Sequence, residues 1–155
     1  MPVFYVDTSA LVKRYRLEQG TDVIDSLFNN PLPEDRFYTS FLSVLEVTSA
    51  VHRRLGLGQL DGALAHEILA RLRRDLQDYF RLWPLNNDVV AAAVSVIEQY
   101  KLRSMDAIHL ATALAIASLA PGLSIVMVSS DHEIIRAADA VGLGVLNPAD
   151  SNALG

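Results

Sequence analysis

A charge-free run constrains this chain more than any other feature. Between residues 107 and 130 there is no Asp, Glu, Lys or Arg, a length that would let one apolar helix span a bilayer. Pro121 and Gly122 interrupt it. Proline has no amide hydrogen and breaks a helix interior. The run therefore divides into a helix over 105–119, "MDAIHLATALAIASL", and a β-branched strand, "SIVMV". Two elements with almost no polar face need cover on every side, which the interior of an α/β domain provides. The expectation is a soluble chain with no membrane segment.

The rest of the sequence alternates in the same way. A strand is predicted near 3–6, a helix from Thr8 to about Arg16, and a second helix capped by Thr21; "RFYT" reads as a short strand. From Ser40 to Leu55, apolar and semipolar residues recur at 41, 44, 45, 48, 51, 52 and 55, one face of a helix closed by "GLG". Residues 61–77 repeat that spacing through Leu64, Ile68, Leu72 and Leu76. "YFRLWPL" reads as a strand, "NNDVVAAAVSVIEQY" as an Asn-capped helix, and "HEIIRAADAVG" and "GVLNP" as the last helix and strand. Short apolar strands alternating with helices imply an α/β fold, a central parallel β-sheet flanked by helices on both faces, because parallel strands need helical crossovers. We expect a single domain over 1–148 and a frayed tail over 149–155.

Composition narrows the chemistry. The chain has no cysteine, which excludes disulfides, thiolate metal sites and a cysteine nucleophile, and fits a reducing cytoplasm. The start, "MPVFYVD", lacks the basic stretch of a signal peptide. Thirteen Lys and Arg against eighteen Asp and Glu give a net charge of −5, which argues against broad electrostatic binding of nucleic acid. The basic residues are clustered in "KRYR", "RR", "RLRR" and "KLR". They are either a basic rim around an acidic centre or solvated helix faces.

Four acids stand in suggestive places. Asp7 follows the first strand and Asp131 follows "SIVMVSS", the carboxyl ends at which a parallel sheet presents its site. Each alone reads more readily as a helix N-cap than as a functional group. Asp106 follows "KLRS", where Ser104 can cap and an acid favours the helix dipole. Glu46 lies inside a helix with Leu42, Ser43, Ser49 and Ala50 three and four residues away, so no basic partner on its own helix neutralises it. Carboxylates gathered in one place cannot all stay ionised without a cation. Oxygen donors without Cys, and without the spacing of a zinc site, favour Mg²⁺ or Mn²⁺. Such an ion activates water and stabilises charge on a phosphodiester.

The order of "VDTSAL" with Asp7, "SVLEV" with Glu46, "RSMDAIHLATAL" with Asp106 and "VSSDHEI" with Asp131 resembles the PIN-domain family, and within it the VapC-type ribonuclease toxins of toxin–antitoxin pairs. The resemblance runs from about residue 3 to residue 148, and "DAIHLATA" is its most specific part. It implies an endoribonuclease that hydrolyses RNA phosphodiester bonds with Mg²⁺ or Mn²⁺. It also implies Asp7 and Asp106 as metal ligands, Glu46 positioning metal and water, and Asp131 completing the site. A homodimer and a small antitoxin protein covering the active site are further implications.

Other residues are read more modestly. Thr8, Ser9 and Ser129 can orient ligands through their hydroxyls. His109, three residues after Asp106, is on the same helical side but is read as a packing histidine. His132 is expected to be exposed, Arg103 to contact phosphate or balance the acids, and Trp83 to be core. One alternative function is a haloacid-dehalogenase-like phosphotransfer enzyme, which wants a second acid two residues after the first, where this chain has Ser9. A receiver-type phosphoacceptor is disfavoured for want of an Asp in "FYT". A catalytically inactive PIN-like binding module for RNA or protein is the other.

Overall fold

The computed structural model describes residues 2–119 and 121–150. Within them lie five strands: β1 (Pro2–Val6), β2 (Arg36–Ser40), β3 (Phe80–Trp83), β4 (Ser124–Val128) and β5 (Gly144–Leu146). They form one sheet in the order β3-β2-β1-β4-β5, and every pairing is parallel. The helices are α1 (Thr8–Leu11), α2 (Thr21–Asn29), α3 (Phe41–Gly56), α4 (Gly62–Asp78), α5 (Asn87–Tyr100), α6 (Ser104–Leu119) and α7 (His132–Ala140). The expected α/β domain with a parallel sheet is therefore present.

Alternation along the strands builds two cores. Val3 and Tyr5 of β1, with Ile125 and Met127 of β4, face one side and pack with α5, α6 and α7 through residues such as Val96, Leu110, Ala111 and Ile134. Val6 and Val128 face the other side, with Leu11, Phe28, Val47, Ile68 and Leu72. Successive strand residues point to opposite faces, so helices lie on both. The chain builds β2 and β3 on one flank of β1, then crosses to build β4 and β5 on the other. That reversal opens a crevice at the carboxyl ends of β1 and β4, the usual position of a site in such sheets.

The charge-free run divides as expected, into α6 and β4. Among the described residues no single helix is long and apolar enough to cross a membrane. The small residues Ala107, Ala111 and Ala113 are fully buried in α6, letting neighbouring elements approach closely.

Several local expectations change. The helix expected from Thr8 to Arg16 is α1 followed by a 3₁₀ turn over Val12–Arg14. The winding tightens there as the Arg14 side chain turns inward to Asp75, with Nε to Oδ2 at 2.7 Å, and packs over the Phe28 ring. Thr21 is not the cap of α2. That position belongs to Gly20 at φ 94°, and the Thr21 hydroxyl instead accepts from Glu18 N–H and donates to Lys13 O. A Cβ on Gly20 would stand 2.5 Å from Pro148 O, which excludes a side chain. Ser104 is the first residue of α6, not a cap outside it. In α4 the inward stripe is Ala65, Ile68 and Leu72, and Leu64 is exposed. Of the tail expected at 149–155, Ala149 O accepts from Gln19 Nε2 at 2.7 Å; residues 151–155 lie outside the described residues.

Candidate active site

Asp7 is both cap and wall. It ends β1 in extended conformation, and its Oδ1 accepts Ala10 N–H at 3.0 Å, starting α1. The same Oδ1 accepts the Ser9 hydroxyl at 2.7 Å, and Oδ2 accepts the Ser129 hydroxyl at 2.6 Å. Only 1 % of Asp7 is exposed. Burial pushes its carboxyl above the usual aspartate value, and His109, Ser129, Ser9 and the Ala10 amide offset only part of that.

Asp131 sits in the same way after β4. It caps α7 by accepting Glu133 N–H at 2.8 Å, and its own amide donates to Ser129 Oγ at 3.0 Å. Ser129 therefore joins the backbone of one acid to the carboxylate of the other. Ser9 adds a second tie across the crevice, accepting Ser130 N–H at 2.9 Å.

Glu46 projects from the second turn of α3, whose start is fixed by Ser40 capping Leu42 N–H. Its Oε1 accepts the Thr8 hydroxyl at 2.7 Å and pairs with His109 Nε2 at 2.8 Å. Burial alone would raise the Glu46 carboxyl; the hydrogen bonds of His109 and Thr8 outweigh it and hold the group below the usual glutamate value. Asp106 lies in the first turn of α6. Burial and the charges of Asp131 and Asp7 raise its carboxyl, with Arg103 and His109 opposing. Arg103 is 89 % exposed and its Nε is 3.9 Å from Asp106 Oδ2.

All four acids line one cavity of about 250 Å³, together with Thr8, Ser9 and His109. Each sequence-selected acid thus reaches the same space, and the hydroxyls of Thr8, Ser9 and Ser129 bond its carboxylates. His109 does more than pack. Its ring is 2 % exposed and bridges Tyr5 in the core to Glu46 at the wall. The signal available in the sequence was its position three residues after Asp106. His132 is exposed as expected, and Trp83 packs edge-on to Tyr38, away from the cavity.

The donor chemistry fits a hard divalent cation: every carboxylate is an oxygen donor, and burial together with the charges on Asp131 and Asp7 raises the Asp106 carboxyl despite Arg103 and His109. Among the described residues no three or more His, Cys, Asp or Glu side chains close around an ion unaided. Mg²⁺ does not need them to, because it keeps several waters and takes one or two carboxylates.

Comparison with known proteins agrees with this architecture. Ribonuclease VapC35 of Mycobacterium tuberculosis is 32 % identical over 149 residues, covering 96 % of this chain and 99 % of that protein. Two solved structures share the fold at low identity. The FitAcB structure from Neisseria gonorrhoeae superposes with a TM-score of 0.70 at 20 % identity, covering 94 % of this chain and 97 % of the other. A toxin–antitoxin complex from Klebsiella pneumoniae gives 0.61 at 19 % identity, covering 93 % and 96 %. The PIN domain family model matches residues 4–140, a span that contains all four acids, and the chain belongs to the PIN-domain family.

Proposed function

We propose that this protein is a divalent-metal-dependent endoribonuclease, the toxin component of a toxin–antitoxin pair. The observation that carries the reading is the convergence of Asp7, Glu46, Asp106 and Asp131 on one cavity at the carboxyl edge of the sheet. Its support includes the ribonuclease name of a relative aligned over nearly the whole chain. Asp7 and Asp106 would hold Mg²⁺ or Mn²⁺, with Glu46 and Asp131 completing the set. When bound, such an ion lowers the pKa of water and neutralises charge building on the phosphodiester.

The chain's own groups prepare that site. Ser9, Ser129 and the Ala10 amide fix the Asp7 carboxylate, and Thr8 holds Glu46. Arg103, at the open side, would meet RNA phosphate. The domain would run through residue 148 and act in the cytoplasm on RNA. A small antitoxin partner is supported by the Klebsiella toxin–antitoxin complex of the same fold; it would cover the cavity. Exposed Phe41, Leu45, Val90 and Val94 support a homodimer, because they leave apolar surface uncovered on α3 and α5.

A phosphotransfer reading has little to stand on. Position 9 donates a hydroxyl to Asp7 where that chemistry wants an acid. The test is cleavage of RNA by purified protein with Mg²⁺ or Mn²⁺, with and without EDTA, against Asp7→Asn and Asp106→Asn. Each variant should cut at least about 10²-fold more slowly. Equal rates would sink the assignment, and RNA binding without turnover would favour the inactive module.

A further inference from the structure

His109 is buried, polar and bonded on both ring nitrogens. Nδ1 lies 2.7 Å from the Tyr5 hydroxyl, and Nε2 lies 2.8 Å from Glu46 Oε1 and 3.3 Å from Thr8 Oγ1. Tyr5 is 0 % exposed, on the central strand two residues before Asp7. The three residues thus join β1, α6 and α3, although the apolar faces of α3 and α6 belong to different cores.

Glu46 needs such a tie. Its side chain is 32 % exposed and is mounted on α3, while Asp7 and Asp131 stand on strand ends. A glutamate has three rotatable bonds and loses appreciable entropy when fixed. Thr8 supplies one hydroxyl hydrogen, and Ser43 Oγ lies 3.2 Å away as a competing acceptor. An ionised carboxylate only accepts, so the nitrogen facing Oε1 carries hydrogen, and in the neutral ring Nδ1 is then the acceptor for the Tyr5 hydroxyl. Both bonds to Glu46 fall on Oε1, so Oε2 has no protein donor among the described residues and remains available to a ligand.

We propose that His109 is a positioning residue, fixing the Glu46 carboxylate at the cavity wall through Nε2 while Tyr5 fixes the ring through Nδ1. This rests on the ribonuclease reading above, since Glu46 is taken as part of its metal site. Partners behind a ligand typically change metal affinity or activity 10–100-fold. His109→Ala should therefore weaken Mn²⁺ binding, measured by calorimetry, by about 10-fold or more. It should lower kcat on RNA while leaving KM near wild type. His109→Gln keeps an amide N–H that reaches Glu46 and should restore most of both. Tyr5→Phe should weaken Mn²⁺ binding in wild type and add nothing in the His109→Ala background.

Imidazole ¹⁵N NMR of the metal-free protein gives a second readout, with Nε2 protonated and Nδ1 bare. A bare Nε2 overturns the proposal. So does a His109→Ala protein that binds Mn²⁺ and cuts RNA like wild type, or a His109→Gln protein as inactive as His109→Ala with normal Mn²⁺ binding, which would make His109 a proton-transfer group. If His109→Ala does not fold by circular dichroism, His109→Gln and Tyr5→Phe carry the same test. A wild-type protein that neither binds Mn²⁺ nor cuts RNA overturns the ribonuclease reading and this one with it. Competent wild type with indifferent His109 variants overturns only this one.

Discussion

The Ser129 hydroxyl lies 2.6 Å from Asp7 Oδ2 across 122 positions of sequence, and it also accepts the amide of Asp131 at 3.0 Å. One hydroxyl therefore sets the spacing of two acids at the ends of adjacent strands. Ser129→Ala should lower RNA cleavage by about 10-fold or more, the scale of a lost partner behind a ligand. Ser129→Thr, which keeps the hydroxyl, should recover part of it. An alanine variant with wild-type kcat would show that the acids hold their places without Ser129.

Asp7 carries a stability cost. Its folded pKa is raised above the unfolded value by burial, so the folded state binds the proton more tightly than the unfolded chain. The ionised group therefore destabilises the fold above its folded pKa. That penalty disappears as pH falls through the folded pKa toward the ordinary aspartate range. In EDTA at neutral pH, Asp7→Asn should melt at a higher temperature than wild type, and the gap should close on acidification. Thermal melts at several pH values check this; a lower Tm for the variant at neutral pH would contradict it.

Divalent cations should stabilise the protein by mass action. At a hundredfold excess over Kd the gain is about 2.7 kcal/mol, visible as a rise in Tm with added Mn²⁺. Asp106→Asn should abolish most of that rise while melting cooperatively. An unchanged Mn²⁺ response in the variant would remove Asp106 from the ligand set.

Away from the cavity, the Arg14 guanidinium is held by Asp75 through Nε to Oδ2 at 2.7 Å and Nη2 to Oδ1 at 3.2 Å. The Tyr15 hydroxyl donates to the same Oδ2 at 2.7 Å. Both side chains of the pair are 10 % exposed. Asp75→Ala leaves the buried cation with only the more exposed Asp25 as a carboxylate partner and should cost about 3 kcal/mol in denaturant unfolding. Asp25 meets Arg14 from a 38 % exposed position, so Asp25→Ala should cost about 1 kcal/mol or less. Equal losses would mean that burial does not govern this cluster.

Gly20 should not tolerate a side chain. It sits at φ +94°, and a Cβ would meet Pro148 O at 2.5 Å. Left-handed backbone alone costs a non-glycine residue about 1–2 kcal/mol, and the backbone carbonyl has no rotamer with which to move aside. Gly20→Ala should lower the unfolding midpoint in urea by at least that equivalent. An unshifted midpoint would mean that the segment at Pro148 is not held against α2.

The sequence by itself determined the alternation of strands and helices, the parallel sheet, and the four acids in order. Those are local signals: continuous apolar runs in "VFYV" and "SIVMV", period 3.6 over α3 and α4, and an acid after each of two strands. Only the tertiary structure decided what the neighbouring residues do. Asp7 and Asp131 are caps and cavity walls at once, which no spacing distinguishes, because the same extended backbone at a strand end serves both. His109 reads as packing in sequence, yet its partners stand 104 and 63 positions away on other elements. Thr21 has the chemistry of a cap, but the approach of Pro148 gave that position to Gly20. Hydrogen bonds between elements depend on how faces dock in three dimensions, and a one-dimensional period carries no record of that docking.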